Sequence, residues 1–425
     1  MPRPRKDPIP APVHTEPLRV RVERLGERLR EGFRACMTSL GLGEARVSDL
    51  ARRLRIQPVL ASRLVRCLEH ASPIAVVFHA PGPEPLRDAL EGLSQEGAPD
   101  EFVLQLVRAI EDLDQMIRAE FGDQRGLEAA LAPWVSGGLA SLVPRQRLAV
   151  HRSTMESEGM EIHAGSFAVA FVPAGEGTWR SVRVTRALGM TRWLPEAAFG
   201  IAMDAPPDEA SCEVEGLDGR SFFEDGLEAL RQDAFAIRTP AGMSARKVDA
   251  AVIYDLEPTG FGPKAAVDLN LVERARTPTP VRHPRAEASF GASTIAVGAI
   301  EHHMLEVLLP RGMFDPLTPE AVSYCTLERG TARVAGESGR EADLRTTLED
   351  VQQLELSDPE VDLAPFPRHR DLLVHALEAS DADPSDFVLH RILIHRPFPW
   401  IQVFISWMHP DQPRELWIPE RELYQ

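Results

Sequence analysis

Two short amphipathic segments follow one another near the start of the chain, in RVSDLARRLRIQPVLASRLVRCLEH, residues 46–70. Apolar residues recur every three or four positions in both segments, which predicts two helices. The first helix opens at Val47 and Ser48, with Ser48 as its cap. The turn falls at residues 55–57, and Pro58 stands in the first turn of the second helix, where proline is tolerated. Such a pair folds by packing its two apolar faces together across a tight turn.

The spacing of apolar and small residues supports this arrangement. The positions predicted to face inward are Leu50, Leu54, Ile56 and Leu64. Ala51 supplies a small residue at the helix crossing, and Ala61 supplies another within the second helix. This pattern resembles the helix-turn-helix of bacterial transcriptional regulators, and within it the winged form of the IclR and MarR families. The resemblance covers roughly residues 20–80.

The resemblance implies which residues contact DNA, because in that family the second helix enters the major groove. The exposed residues that would touch base edges or phosphates are Gln57, Val59, Ser62, Arg63 and Arg66. Arg52 and Arg53, on the outer side of the first helix, would lie near the DNA backbone. Arginine suits both contacts, since its planar fork binds guanine in a bidentate manner and its charge neutralises phosphate. The turn usually carries glycine, so Arg55 must take some strain or reshape the turn.

The distribution of charge agrees with an anionic partner at one end of the chain. Residues 1–69 hold fifteen Lys and Arg against eight Asp and Glu, a net charge of +7, whereas the whole chain carries −17 and residues 70–425 therefore carry −24. An asymmetry of this kind indicates nucleic-acid contact through the basic segment. The alternative is a solvated, arginine-rich helix surface, which accounts for most charge runs.

Further helices and strands are predicted along the rest of the chain. Residues 20–40 form an amphipathic helix ending near Gly41 or Gly43, and the apolar run 74–78 is predicted as a strand, the one visible part of a wing. A helix is predicted in LRDALEGL. A second is predicted in EFVLQLVRAIEDLDQMIRAEFGDQ, where apolar residues three and four positions apart form a continuous stripe, called the seam below, and Gly122 ends the helix. The seam packs against its own domain or, alternatively, forms a subunit interface.

The second half of the chain alternates short β-prone runs with helical segments. Strands are predicted in SFAVAFVP, SVRVTRAL, AVIYDLE, STIAVGAI and, as two strands joined by a proline-containing turn, in FVLHRILIHRPFPWIQVFISWMHP. SFFEDGLEALRQDAF is predicted to be helical, and residues 276–289 are the best linker candidate.

The fold class is therefore α+β multidomain, with an all-α helix-turn-helix head bearing a partial wing, a helical linker and a mixed α/β body. The predicted divisions are a flexible arm (1–15), a DNA-binding domain (16–80), a helical linker or dimerisation segment (81–149) and two α/β subdomains (150–280 and 285–425).

No active site is evident in the sequence. The glycine-rich phosphate loops, the GxSxG elbow and the HExxH motif do not occur. His302 and His303 are adjacent, so on a strand they would face opposite sides and could not easily share one metal ion. His390 and His395 flank RILI and are expected to border a strand, and the aromatic pairs Trp400/Trp407 and Phe398/Phe404 are expected to lie in the core. The sequence predicts neither a cofactor nor a metal ion.

Composition sets the expected environment of the chain. Its 425 residues suggest two to three domains, and its apolar runs fall far short of the ~20 residues that span a bilayer. The basic, proline-rich start lacks the apolar middle of a secretory signal. Four scattered cysteines without a CxxC pair indicate buried free thiols. A cytoplasmic protein is therefore expected.

The leading hypothesis is a DNA-binding transcriptional regulator that acts as a homodimer on double-stranded DNA, with an acidic body that senses an unidentified effector or holds the subunits together. Two alternatives remain open. One is an interaction or scaffold protein whose helical pair docks another polypeptide, and the other is an enzyme of unfamiliar type in the C-terminal half.

Overall fold

The computed structural model describes residues 16–43, 45–204, 214–240, 242–248, 251–256, 260–281, 283–284, 289–337 and 339–408. The chain forms two compact units, divided between Val143 and Pro144. The first unit is helical and the second is built mainly of strands, so the predicted α+β multidomain class is confirmed. The predicted arm, residues 1–15, lies outside the described residues. Among the helices described, none is long and apolar enough to cross a membrane.

Eight α-helices begin within residues 16–43 and 45–143, and the last of them continues past Val143. Their bounds are α1 Leu18–Ser39, α2 Val47–Leu54, α3 Pro58–Glu69, α4 Pro73–His79, α5 Pro83–Gln95, α6 Asp100–Met116, α7 Gln124–Leu131 and α8 Gly138–Glu158. The helices predicted at 20–40, in LRDALEGL and along the long seam are confirmed as α1, α5 and α6. A π-helical turn, Ile117–Phe121, extends α6 to Gly122, which has the positive φ of 78° that favours glycine.

One apolar core joins the segments on either side of residue 80. α1 packs against α4 and α6, while α5 packs against α2 and α6. Leu29 and Phe33 of α1 and Leu106 and Leu113 of α6 are all buried in this core. The seam of α6 therefore faces its own unit, and residues 81–143 belong to the same helical body as residues 16–80.

The strand predicted at residues 74–78 is wrong, because this run forms α4. Pro73 occupies the first turn of α4, and all five side chains from Ile74 to Phe78 are buried. A helix buried on every side has no polar face, so its sequence shows no helical period and reads like a buried strand. No strand occurs in the described residues of the helical unit, and the predicted partial wing is absent from them.

The second unit holds the larger part of α8, from Pro144 onward, and its described residues also contain three sheets and two further α-helices. The strands are β1 Met160–Gly175, β2 Thr178–Arg192, β3 Gly200–Asp204, β4 Val214–Glu215, β5 Met243–Val248, β6 Ala251–Leu256, β7 Val267–Ala275, β8 Thr279–Pro280, β9 Phe290–Ala296, β10 Ile300–Pro310, β11 Pro319–Cys325, β12 Leu344–Arg345, β13 Gln352–Glu355, β14 Phe387–His395 and β15 Ile401–Trp407. The helices are α9 Phe222–Asp225 and α10 His369–Glu378.

The largest sheet has the order β13-β14-β10-β1-β2-β7-β4, with β8 also paired to β2. β1 and β10 are parallel, whereas the other pairs in this sheet are antiparallel. The remaining strands form a four-stranded sheet, β12-β11-β15-β9, and a three-stranded sheet, β3-β6-β5. The largest sheet therefore takes strands from both sides of residue 285, the predicted start of the second subdomain.

The largest sheet is covered on both faces. On one face Ala168 and Leu389 pack against Leu373 and Leu377 of α10. On the other face, side chains of β1, β10 and β14 pack against the four-stranded sheet, where Trp407 of β15 is buried. The alternation of apolar side chains along each strand supplies the two faces, as expected for a sheet between two layers.

Some predictions for this half are confirmed and others are wrong. Strands form at the predicted runs, and β14 and β15 are joined by the predicted turn with Pro397 and Pro399, although they belong to different sheets. The helix predicted at residues 221–235 is not continuous: α9 ends before Gly226, whose φ is 59°, and short 3-10 helices follow at Gly226–Ala229 and Asp233–Phe235. Trp407 and Phe404 are in the core as predicted, whereas Trp400 is exposed.

The cysteines agree with the prediction of free thiols. Cys36 and Cys67 are free and buried, and Cys325 is free and half-buried. Burial raises the pKa of the Cys67 thiol to about 12. Cys212 lies outside the described residues.

Candidate nucleic-acid interface

The helices α2 and α3 pack through the residues that the sequence marks as inward. Leu50, Leu54 and Leu64 are buried almost completely, and Ala51 and Ala61 are buried with them. The small alanines let the two helices approach, and the leucines fill the space beside them. Pro58 is the first residue of α3, as predicted. Arg46, with no side-chain hydrogen bond, precedes α2, so the predicted cap at Ser48 is wrong.

The turn between the two helices depends on the backbone of Arg55. Its φ of 55° and ψ of 34° place it in the left-handed region, and its N–H donates to the carbonyl of Ala51. The Ile56 N–H donates to the same carbonyl at 3.1 Å. These bonds close α2 and redirect the chain into α3. The strain predicted at Arg55 is therefore present, because a residue with a Cβ rarely adopts this conformation.

The outer face of α3 exposes most of the residues assigned to DNA. Gln57, Arg63 and Arg66 are exposed, and Val59 is 69% exposed. Ser62 is half-buried. In the described part of the chain, no hydrogen bond or ion pair engages the guanidinium group of Arg63 or Arg66. Among the described residues, both guanidinium groups are therefore without a partner.

The two arginines assigned to α2 are less free. Arg52 forms an exposed ion pair with Asp49 at 2.6 Å, three residues earlier on α2. Arg53 pairs with Glu96 beyond the end of α5 at 2.7 Å. Exposed pairs of this kind contribute little energy, so a phosphate could displace either carboxylate at small cost.

The arginines of α1 are used to hold the helices together. Arg34 donates to the carbonyl of Leu68 at 2.6 Å, and Arg30 donates to that of Ala71 at 2.8 Å. These bonds tie the C-terminal end of α3 and the residues after it to α1. A cation at that end is also favoured by the helix dipole. Arg21 and Arg28 pair with carboxylates of the α6 segment. Much of the positive charge counted in residues 1–69 is therefore neutralised within the unit.

A histidine pair follows the end of α3. The rings of His70 and His79 are stacked with their centroids 4.3 Å apart. Burial lowers the pKa of His79, and the charges of His70 and Arg66 lower it further. His79 is therefore neutral at physiological pH and adds no charge to the face of α3.

A cleft separates the beginning of α3 from α5. Its volume is about 570 Å³ and its walls include Val59, Leu60 and Arg63 on one side and Asp88 and Glu91 on the other. The two carboxylates are exposed. The cleft between α3 and α5 thus carries both signs of charge beside apolar side chains, a composition found in protein-binding surfaces as well as in solvated grooves.

Comparison with known proteins provides little guidance. No protein-family model matches the chain, and no curated protein matches it. Among solved structures, a Parabacteroides distasonis protein described as a candidate protease matches at 10% identity with a TM-score of 0.26. The match covers 59% of this chain and 41% of that one, so the chain spans less than half the length of that protein.

Proposed function

We propose that the helical unit binds double-stranded DNA through α3, as the reading head of a transcriptional regulator. The observation that carries the proposal is that Arg63 and Arg66, on the exposed face of α3, have no hydrogen bond or ion pair to any described residue. The left-handed turn at Arg55 and the proline that opens α3 fit the helix-turn-helix interpretation. These features support the proposal independently of overall charge.

The residues of α3 would divide the contacts between them. Arg63 and Arg66 carry fixed charges that suit phosphate or the edge of guanine. Gln57 can form paired hydrogen bonds with adenine, and Val59 can contact a thymine methyl group. Arg52 would contact the DNA backbone once its ion pair with Asp49 is broken. A regulator of this kind acts in the cytoplasm.

We further propose that the chain acts on DNA as a homodimer. A single short helix without a wing offers few contacts, so one copy would bind weakly. Two copies on adjacent half-sites multiply affinity without new kinds of contact. The role of the second unit, whether it senses an effector or joins the subunits, is left open by this proposal.

The test is a fluorescence-anisotropy titration of the full chain against a random-sequence duplex at several salt concentrations. The Arg63→Ala/Arg66→Ala variant should bind at least about tenfold more weakly at low salt. The slope of log affinity against log salt should fall by about 2, because roughly 0.9 counterions are released for each neutralised phosphate.

The matched control is Arg108→Ala/Arg125→Ala, which removes two exposed positive charges from α6 and α7. It has the same net charge as the test variant and should bind as the unmodified chain does. Equal affinity and equal salt slope for the two double variants would contradict DNA binding through α3.

The mixed-charge cleft favours a second candidate function, docking of a polypeptide between α3 and α5. A peptide that carries both charges could pair with Arg63 and with Asp88 or Glu91 around the exposed Val59. This candidate predicts no salt-dependent DNA affinity. It also predicts that Asp88→Asn/Glu91→Gln weakens capture of a partner by residues 16–143, whereas the DNA proposal predicts that this variant binds DNA more tightly.

A further inference from the structure

Three strands of the largest sheet bring polar side chains to one edge of the second unit. β1 and β10 begin at this edge and β14 ends there, because β14 runs antiparallel to β10. The side chains brought together are His163 on β1, Glu301 and His302 on β10, and His395 on β14. Residues from distant parts of the sequence thus meet through strand register alone.

The distances among these groups are short. His163 Nδ1 donates to Glu301 Oε2 at 3.0 Å, since a carboxylate can only accept. The rings of His163 and His302 lie 5.4 Å apart, and those of His302 and His395 lie 4.8 Å apart. One ligand atom from each of His163, Glu301 and His302 can be chosen so that all lie within 4.8 Å of one another.

We propose that His163, Glu301 and His302 bind one divalent transition-metal ion of the zinc type. Two imidazoles and one carboxylate are a ligand set that such ions favour. Bonds of 2.0–2.2 Å at tetrahedral angles place ligand atoms about 3.3 Å apart. The 3.0 Å between His163 Nδ1 and Glu301 Oε2 is already near that value. The ligand atom of His302 lies within 4.8 Å of both, so binding requires the His302 ring to move toward them. The metal ion would replace the proton that His163 now shares with Glu301.

The surroundings orient the carboxylate. Arg396 donates to Glu301 Oε1 at 2.7 Å, while Oε2 is the atom that faces His163. A hydrogen bond of this kind to the oxygen that does not bind metal typically fixes a ligand. The same guanidinium opposes a cation electrostatically, which makes a site of moderate rather than extreme affinity the expected result.

The fourth coordination position would be accessible. The side chain of His163 is 52% exposed, so solvent or a small ligand can reach the site. His395, beside His302, is placed to approach the same position. No other group of three or more histidine, cysteine or acidic ligands lies this close together within the described residues.

The test is equilibrium dialysis of the metal-free full chain against Zn²⁺, with Co²⁺ as a spectroscopic probe. We expect one ion per chain and the visible absorption of four-coordinate Co²⁺ with nitrogen and oxygen ligands. The His163→Gln/His302→Gln variant and the Glu301→Gln variant should each lower the affinity at least ~100-fold, because a missing ligand is not replaced.

The matched control is His283→Gln/His375→Gln, which removes two exposed histidines of the same unit that lie outside the cluster. It should bind Zn²⁺ as the unmodified chain does, and circular dichroism in EDTA should show that all variants are folded. Equal binding by the cluster variant and the control, or no stoichiometric binding by the unmodified chain, would overturn the proposal and leave the four side chains as a hydrogen-bonded strand edge.

Discussion

Arg55 shows how a single backbone conformation determines a larger arrangement. Its left-handed conformation ends α2 after only eight residues and directs the chain into α3. Glycine adopts this conformation without steric cost, whereas a residue with a Cβ loses about 1 kcal/mol or more. The sequence indicates the strained position, because the turn pattern requires a positive φ there.

Replacing this residue should stabilise the helical unit. We expect Arg55→Gly to raise the free energy of unfolding by about 0.5–1 kcal/mol, since removal of the Cβ relieves more strain than the added freedom of the unfolded chain costs. Urea unfolding followed by circular dichroism would measure the change. Arg52→Gly, the same substitution inside α2, should instead destabilise the unit by about 1 kcal/mol. Destabilisation by both variants would contradict this account of the turn.

At the scale of elements, a buried charged network joins the sheet to the segment around α10. Glu306 of β10 accepts from Arg391 Nε at 2.8 Å and contacts His369 Nε2 at 2.5 Å. Arg186 of β2 lies 3.3 Å from His369 Nδ1 and donates to the carbonyl of Pro367 at 3.0 Å. Because arginine can only donate, His369 accepts at Nδ1 and donates from Nε2 to the carboxylate.

The network is too deeply buried for exchange with a substrate, so its role is structural. All four side chains are buried almost completely. Burial tends to raise the pKa of Glu306, but His369 and Arg391 outweigh burial and hold it below its ordinary value. Arg391 also donates to the carbonyls of Glu360 and Val361, which fixes the chain that leads into α10.

Removing the buried charge should destabilise the second unit strongly. We expect Glu306→Gln to cost roughly 3 kcal/mol, because it leaves Arg391 buried without a counter-charge. Glu355→Gln, at the exposed pair with Arg311, should cost less than about 1 kcal/mol. Chemical unfolding of the full chain, compared among the three proteins, measures both effects. Similar losses at the two sites would show that the network contributes no more than an exposed pair.

At the scale of the whole molecule, the net charge of a segment is a poor guide to its free charge. Residues 1–69 carry +7, but the arginines of α1 are largely engaged by carboxylates and backbone carbonyls. In the described part of the chain, Arg63 and Arg66 of α3 are among the few cations of this segment that no carboxylate or carbonyl engages. An argument from total charge would place the whole segment on DNA, whereas the contacts restrict the candidate interface to one helix.

Buried histidine in the second unit should make the fold sensitive to acid. Burial lowers the pKa of His390 to about 4, and its ring packs edge-on against Trp407 at 4.9 Å. The unfolded chain, with an ordinary pKa near 6.5, binds the proton more readily than the folded chain. The stability that the neutral His390 ring contributes is therefore fully present above pH ~6.5. It is lost as the pH falls toward 4, which lowers the free energy of unfolding by roughly 3 kcal/mol in total.

The substitution His390→Phe keeps a ring beside Trp407 and removes the proton. We expect its stability to fall less than that of the unmodified chain between pH 6.5 and 4, as measured by urea unfolding at each pH. The same substitution at the exposed His375 is the matched control for replacing a histidine of this unit by phenylalanine away from Trp407. An identical pH profile for His390→Phe and the unmodified chain would show that His390 does not contribute.

The sequence by itself determined the amphipathic helices, the turn at Arg55, the proline at the start of α3 and several strands of the second unit. These features depend on local period and on residues with special backbone preferences, which act over a few positions. It did not distinguish the buried helix α4 from a strand, since a run that is apolar on every side has no period.

Only the tertiary structure decided which charges remain free and which side chains meet. His302 looked unsuited to a metal site beside His303, because the sequence does not show that His163 of another strand lies next to it. His163 of β1 and His395 of β14 reach Glu301 and His302 of β10 through the pairing of three strands, and strand register is set by packing across the whole sheet. For the same reason, the free arginines of α3 could not be separated from the engaged arginines of α1 before the helices were placed against one another.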